Sequence, residues 1–412
     1  MKNHTFPTMR LKFFVLLVCT AILVVQGFLA RPALAKRASA PHLFTPTFVG
    51  DPVSVSWNSP KKTHVFAISD GGSIWTRILD GTTLTWGNWM ALGVPATWGR
   101  SFVKIDAVSW TTGRIDVFGV DNEGVVWHRY LINTTWLPQG VWESIGGNSD
   151  DYIFQKGIQA VAWAPGRLDI FTDHMGGSLT PIPPGAPAQP VYHKAWLNPG
   201  WWPGQTSWYI GDFGNVALNI NVTSWGAHRL DVVGVNQSGN ILHKAWNGSN
   251  WVPTANWTNL NLQNGSDMVE PFSVSWGLNR LDVVARGAPP NNDAFHRSFN
   301  GSNWSGSWKN LGGNSTRRVT GHSWGSNRID LFEVRTSGVY HKAFANNVWY
   351  PSDTGWGYIG GEEALSDISV TSWGPNRLDL FAVRDNDGSL WHLAWNGSAW
   401  TPTIDYWELL NP

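Results

Sequence analysis

The stretch Ser369-Val-Thr-Ser-Trp373-Gly, Asn376-Arg-Leu-Asp-Leu-Phe381, Asp385-Asn-Asp-Gly388, Leu390-Trp-His392, Ala394-Trp-Asn-Gly-Ser398, Trp400 and Trp407-Glu-Leu-Leu410 decides the fold, because the same order of residues recurs upstream. The Trp of its Ser-Trp dipeptide, or of an Ala-Trp equivalent, falls at Trp57, Trp110, Trp163, Trp225, Trp276, Trp324 and Trp373, with spacings of 53, 53, 62, 51, 48 and 49 residues. Seven units of about fifty residues have the period of propeller blades.

Each unit reads as four strands. The segment before the Trp alternates, as in Ser273-Val-Ser-Trp276, and the Arg-x-Asp segment alternates again, with Arg280 and Asp282 on one face and Leu281 and Val283 on the other. A Gly turn such as Asp121-Asn-Glu-Gly124 leads to a third strand, Val126-Trp-His-Arg129, and an Asn-Gly turn as at Asn247-Gly248 gives a hairpin to the fourth. The fourth carries Trp-x-x-Leu/Ile: Trp142 to Ile145, Trp308 to Leu311, Trp356 to Ile359, Trp407 to Leu410. The expectation is an all-β chain, a seven-bladed β-propeller with four antiparallel strands per blade, spanning 51–412. The 29 Trp then serve mainly as packing between blades.

Residues 1–35 read as a cleavable signal peptide and 36–50 as a linker. Lys2, Arg10 and Lys12 precede an apolar run from Phe13 to Val25, broken only by Thr20, and Ala33-Leu34-Ala35 supplies a small-x-small cleavage site. Retention as a membrane anchor is the weaker reading, since Gln26, Gly27 and Pro32 interrupt the apolar stretch. Cleavage removes the single Cys and four basic residues, leaving 25 Lys+Arg against 29 Asp+Glu. The exported chain is expected to be secreted, free of thiols and mildly acidic, which argues against nucleic acid as a partner.

Chemistry-bearing residues recur rather than stand alone. Arg114, Arg167, Arg229, Arg280, Arg328 and Arg377 each precede an Asp by two residues, and His128, His193, His243, His296, His341 and His392 recur on the third strand. The first unit has Lys62, His64 and Thr76 instead. Six equivalent copies suit structural hydrogen bonding between neighbouring strands better than a catalytic centre, so no catalytic residue, metal site or cofactor is expected. No pair of carboxylates is marked out for glycoside hydrolysis. Asn122-Glu-Gly-Val-Val-Trp127 and Asn386-Asp-Gly-Ser-Leu-Trp391 approach the spacing of a sialidase Asp-box, but with Asn at its first position. Asn247-Gly-Ser, Asn300-Gly-Ser and Asn396-Gly-Ser are sequons that double as ordinary turns. Pro181 to Pro190 reads as a loop that lengthens the third unit.

Alternating strand direction places the turn after the first strand and the turn after the third on one face of the disc. That face gathers Trp110, Arg114, Trp225, Arg229, Trp246, Trp276, Arg280, Trp324, Arg328, Trp373, Arg377 and Trp395, with Trp251 and Trp400 close in sequence. Flat rings beside a planar multi-donor cation match a sugar, whose C–H face stacks while its hydroxyls bond. Pairing of Arg with Asp inside each blade is the competing reading. Repetition would make binding multivalent.

Ser-Trp-Gly-x-Asn-Arg-Leu-Asp-Val/Leu-Phe, followed by Leu-Trp-His and Ala-Trp-Asn-Gly-Ser, resembles the repeat of the PLL-like seven-bladed propeller lectins, over about residues 50–412. The resemblance implies a fucose- or galactose-type glycan partner, cell-surface glycans among them. It also implies pockets between neighbouring blades, without metal or catalysis. Blade one lacks the Arg-x-Asp pair, and blade three carries an insertion before Val191-Tyr-His, so pockets bordering these two are not expected. An extracellular glycoside hydrolase or sialidase-like propeller and a protein-interaction propeller are the alternatives, and assembly into a homo-oligomer is left open.

Overall fold

In the computed structural model, residues 46–147, 157–173, 190–209, 211–213, 218–260, 267–361 and 365–411 are described. The expected signal peptide, most of the linker and most of the Pro181–Pro190 stretch lie outside them. The described residues form a seven-bladed β-propeller of seven antiparallel sheets, with no α-helix among them.

Blade 5 shows the pattern, running through Met268–Val274, Leu281–Gly287, Ala294–Phe299 and Lys309–Asn310, each paired with the strand before it. In blades 1, 2, 4, 6 and 7 the fourth strand is broken into two short pieces, both paired to the third, as with Trp400–Thr401 and Glu408–Leu409 in blade 7. The first strands of successive blades lie beside one another in a ring, so they line the axis and the fourth strands form the rim. The first strand begins at Phe48, three residues before the expected boundary at 51.

The core is divided into seven hydrophobic clusters, one between each pair of neighbouring blades. One joins Phe332 and Val334 of blade 6 to Leu378, Leu380 and Trp407 of blade 7; another joins Phe381 and Leu390 of blade 7 to Val65 and Ala67 of blade 1. A central strand is therefore buried on both faces: every residue of Leu230–Val235, Leu281–Gly287 and Leu378–Val383 is buried. Fully burying an aliphatic side chain contributes about 1.5–3 kcal/mol, repeated at seven interfaces.

The Trp of the Trp-x-x-Leu signature has a second task. Its indole N–H donates to the main-chain carbonyl that ends the same signature in the preceding blade: Trp142 to Leu92, Trp308 to Leu260, Trp356 to Leu311 and Trp407 to Ile359, at 2.9–3.0 Å. Trp89 of blade 1 closes the circle by donating to Leu410 of blade 7 at 2.9 Å. Among the described residues no strand is exchanged across the seam between blades 7 and 1. That junction rests on the Trp89 bond, Phe48 N to Gly388 O at 2.8 Å, the Ser54–Ser369 hydroxyl pair at 2.8 Å and Asn411 Nδ2 to Pro46 O at 2.9 Å.

Candidate functional site

The repeated motif is a device for holding an arginine. In Ser-Trp-Gly-x-Asn-Arg the Ser hydroxyl donates to the Gly carbonyl and accepts from the Gly N–H, as at Ser275 with Gly277 (3.0 and 3.2 Å) and Ser372 with Gly374 (2.8 and 3.0 Å). The residue before the Arg has positive φ, +60° at Asn279, +57° at Asn327 and +62° at Asn376, a conformation Asn tolerates better than most residues; Gly113 and Gly166 fill the place in blades 2 and 3. The chain thus reverses over four residues, and the Arg starts the second strand with its side chain beside the Trp of the turn. Arg Cζ lies 4.2–5.4 Å from the Trp ring centroid in all six pairs: 114/110, 167/163, 229/225, 280/276, 328/324 and 377/373.

Each guanidinium also grips the Asp two residues on, with Nε donating to Oδ2 at 2.6–2.9 Å and Nη2 to Oδ1. The six carboxylates are fully buried. Their Oδ1 meets His Nε2 of the neighbouring third strand at 2.7–2.9 Å. The register explains the contact: Asp282 is opposite Ser298, and His296 is the diagonal neighbour two residues away. Burial alone would raise the carboxyl pKa values of Asp116, Asp169, Asp231, Asp330 and Asp379. The hydrogen bonds and charges of His and Arg outweigh it and hold them below the ordinary carboxylate range. Arg Nη1 of all six keeps no hydrogen bond among the described residues.

Two histidines have a further acid. Glu143 Oε1 is 2.6 Å from His128 Nδ1, and Glu408 Oε2 is 3.0 Å from His392 Nδ1. Burial depresses both imidazoles, but carboxylates on both ring nitrogens prevail and the pKa values rise above the ordinary 6.5. Blade 1 is the neutral variant: burial, then the Lys62 charge, lowers His64 to about 3.

The next blade covers each Arg-Asp-His group with an indole from its fourth strand. Trp86, Trp201, Trp251, Trp304, Trp349 and Trp400 stand edge-on to His392, His128, His193, His243, His296 and His341, at 5.0–5.8 Å between ring centroids. Among the described residues, clefts open between blades 2 and 3, 3 and 4, and 7 and 1. The cleft between blades 2 and 3, about 330 Å³, is lined by Trp110, Arg114, Tyr130, Glu143, Trp196 and Trp201, with His128 at its floor. That between blades 3 and 4, about 230 Å³, is lined by Arg167, His193, Leu197, Trp202, Leu230, Trp246 and Trp251. That between blades 7 and 1, about 500 Å³, is lined by Trp86, Arg377, His392, Pro402, Tyr406 and Glu408 among others.

The twelve residues singled out in the sequence divide accordingly. Trp110, Arg114, Trp246 and Arg377 line open clefts. Trp225 with Arg229, Trp276 with Arg280 and Trp324 with Arg328 form stacked pairs; Trp373 stacks on Arg377, and Trp395 lies 5.4 Å from Trp400. The pairing of every Arg with its Asp, the competing reading, is present in each of the six blades. Blades 1 and 3, the two that depart from the repeat, nonetheless border these three clefts. Blade 1 contributes an indole to blade 7's charged group and needs none of its own for that. The insertion of blade 3 leaves its second strand at Asp173 and re-enters at Val191, at the far end of both strands from Arg167 and Leu197. Trp86, Trp201, Trp202, Glu143 and Glu408 were missed because the partner across a cleft belongs to the neighbouring repeat or to a position that varies between repeats.

Among the described residues no group of three or more His, Cys, Asp or Glu is placed to hold a metal ion, and no helix is long and apolar enough to cross a membrane. No family profile matches the chain, and no curated protein matches it by sequence. Solved structures do share its fold. The BP39L lectin from Burkholderia pseudomallei superposes with a TM-score of 0.62 at 15% identity, over 86% of this chain and 98% of that one. A polysaccharide lyase of family PL25, an ulvan lyase, superposes with a TM-score of 0.56 at 11% identity, over 86% and 95%. The six-bladed fucose-recognising lectin of Aleuria aurantia reaches 0.47 at 16% identity, over 76% and 95%.

Proposed function

We propose that the chain is a secreted, multivalent carbohydrate-binding protein without catalytic activity, which takes fucose- or galactose-type glycans in clefts between blades. One observation carries this reading: at three junctions an arginine whose Nη1 keeps no hydrogen bond among the described residues and an indole from the next blade line the same cleft. A sugar ring stacks its C–H face on the indole and offers hydroxyls to the guanidinium, whose orientation the buried Asp has already fixed. Fixing the donor beforehand removes part of the ordering cost of binding. Several weak sites on one disc yield avidity on a glycan-coated surface.

The test is a glycan array probed with the chain from residue 36 onward. Binding to fucose- or galactose-terminated glycans, with displacement by the free methyl glycoside, supports the reading. No bound glycan at high protein loading overturns it.

A further inference from the structure

We infer that the cleft between blades 3 and 4 differs in kind from the other two, and that His193 Nδ1 there is the acceptor for a sugar hydroxyl; this rests on the carbohydrate-binding reading above. In blades 2 and 7 the outer ring nitrogen of the histidine is occupied by Glu143 or Glu408 from the fourth strand. Blade 3 keeps the same register, with His193 paired to Tyr209 as His128 is to Glu143 and His392 to Glu408. Tyr209 brings no carboxylate, and its ring leans on Trp202 with centroids 4.9 Å apart. His193 is 4% exposed, and its Nδ1 is buried without a hydrogen-bond partner.

The tautomer follows from the other nitrogen. Nε2 lies 2.8 Å from Asp169 Oδ1, an acceptor held ionised by His193 and Arg167 against its burial, so Nε2 carries the proton. With Nε2 donating to Asp169, Nδ1 is left as the ring's acceptor, and His193 is among the side chains that line the cleft. A buried acceptor with no donor costs free energy until one arrives. A hydroxyl donates to Nδ1, and the same or an adjacent hydroxyl accepts from Arg167 Nη1. The remaining lining is apolar, from Leu197, Leu230, Trp202, Trp246 and Trp251. At about 230 Å³ the cleft is smaller than the ~300–1,000 Å³ of drug-sized ligand pockets, which limits the occupant to one sugar ring with an apolar face. In the cleft between blades 2 and 3 the acceptor is instead the Glu143 carboxylate, 32% exposed.

The experiment combines calorimetric titration with methyl α-L-fucoside and methyl β-D-galactoside and nitrogen-15 spectra of the histidine side chains. The expected result is a shift of the His193 Nδ1 resonance on saturation with one of the two glycosides. Trp202→Ala, at an exposed position, weakens that site roughly tenfold or more. Tyr209→Glu, which rebuilds the acid-capped pair, removes one site from the stoichiometry and leaves the others. If glycoside binds while His193 stays unmoved and both variants keep the parent stoichiometry and affinities, the inference fails and the carbohydrate-binding reading stands. If no glycoside binds the parent protein at any site, that reading fails and takes the inference with it.

Discussion

Six buried aspartates each hold an arginine and a histidine in place, and the strength of that grip sets what single substitutions do. Asp379→Ala strands the Arg377 guanidinium and the His392 imidazole, both nearly buried, and is expected to cost about 3–5 kcal/mol, read as a lowered denaturation midpoint. The histidines give the molecule a pH signature. His128 and His392 have raised folded-state pKa values, so their contribution is fully present below 6.5 and is lost as pH rises through the folded value. Melting temperature is therefore expected to fall as pH rises above 6.5 through the folded-state values. The Glu143→Gln/Glu408→Gln double variant, with one carboxylate removed from each imidazole, is expected to show a shallower fall; parallel curves would refute the assignment. The recurrence of Arg-x-Asp and His was plain in the sequence, and so was the structural pairing of Asp with His, whereas the pairing of Arg with Asp stood only as the competing reading. That three of these histidines line clefts was not plain, because the other wall of each cleft belongs to the neighbouring repeat.

At the scale of elements, the fourth strand does more than fill the rim. Its first indole covers the preceding blade's charged group, and its second, in Trp-x-x-Leu, donates to that blade's main chain. The sequence displays this signature but not the acceptor, which lies 44–50 residues back for Trp142, Trp257, Trp308, Trp356 and Trp407. Third-strand cations share the task unevenly. Arg129 also donates to Leu92 O, at 2.6 Å, and Arg297 to Leu260 O, whereas blade 7 has Leu393 at that place and Ile359 O has Trp407 alone. Trp407→Phe is accordingly expected to cost about 1–3 kcal/mol through an orphaned buried carbonyl, and Trp142→Phe less, because Arg129 remains. Chemical denaturation of the two variants side by side measures the difference; equal losses would contradict the latch.

For the whole molecule, the sevenfold period carried the architecture. Seven Trp at nearly constant spacing allow few other folds, and the blades lie where the repeats place them. The clefts were less legible, since each is built from two repeats and its openness depends on positions that vary: Glu143, Tyr209 and Glu408 in the fourth strand, and Tyr130, Trp196 and Leu79 around them. Blade 1, the most divergent repeat, looked unfit for a pocket and yet closes one across the seam with blade 7. Sevenfold geometry thus yields unequal clefts, which a binding disc can use to engage several sugars or one sugar with graded affinity. The most direct test is a crystal of the chain soaked with methyl α-L-fucoside and methyl β-D-galactoside. The account predicts a sugar ring stacked on Trp86, Trp201 or Trp202 with a hydroxyl on the Nη1 of Arg377, Arg114 or Arg167. Sugar bound only on the axis or on the opposite face, with these clefts empty, would contradict it.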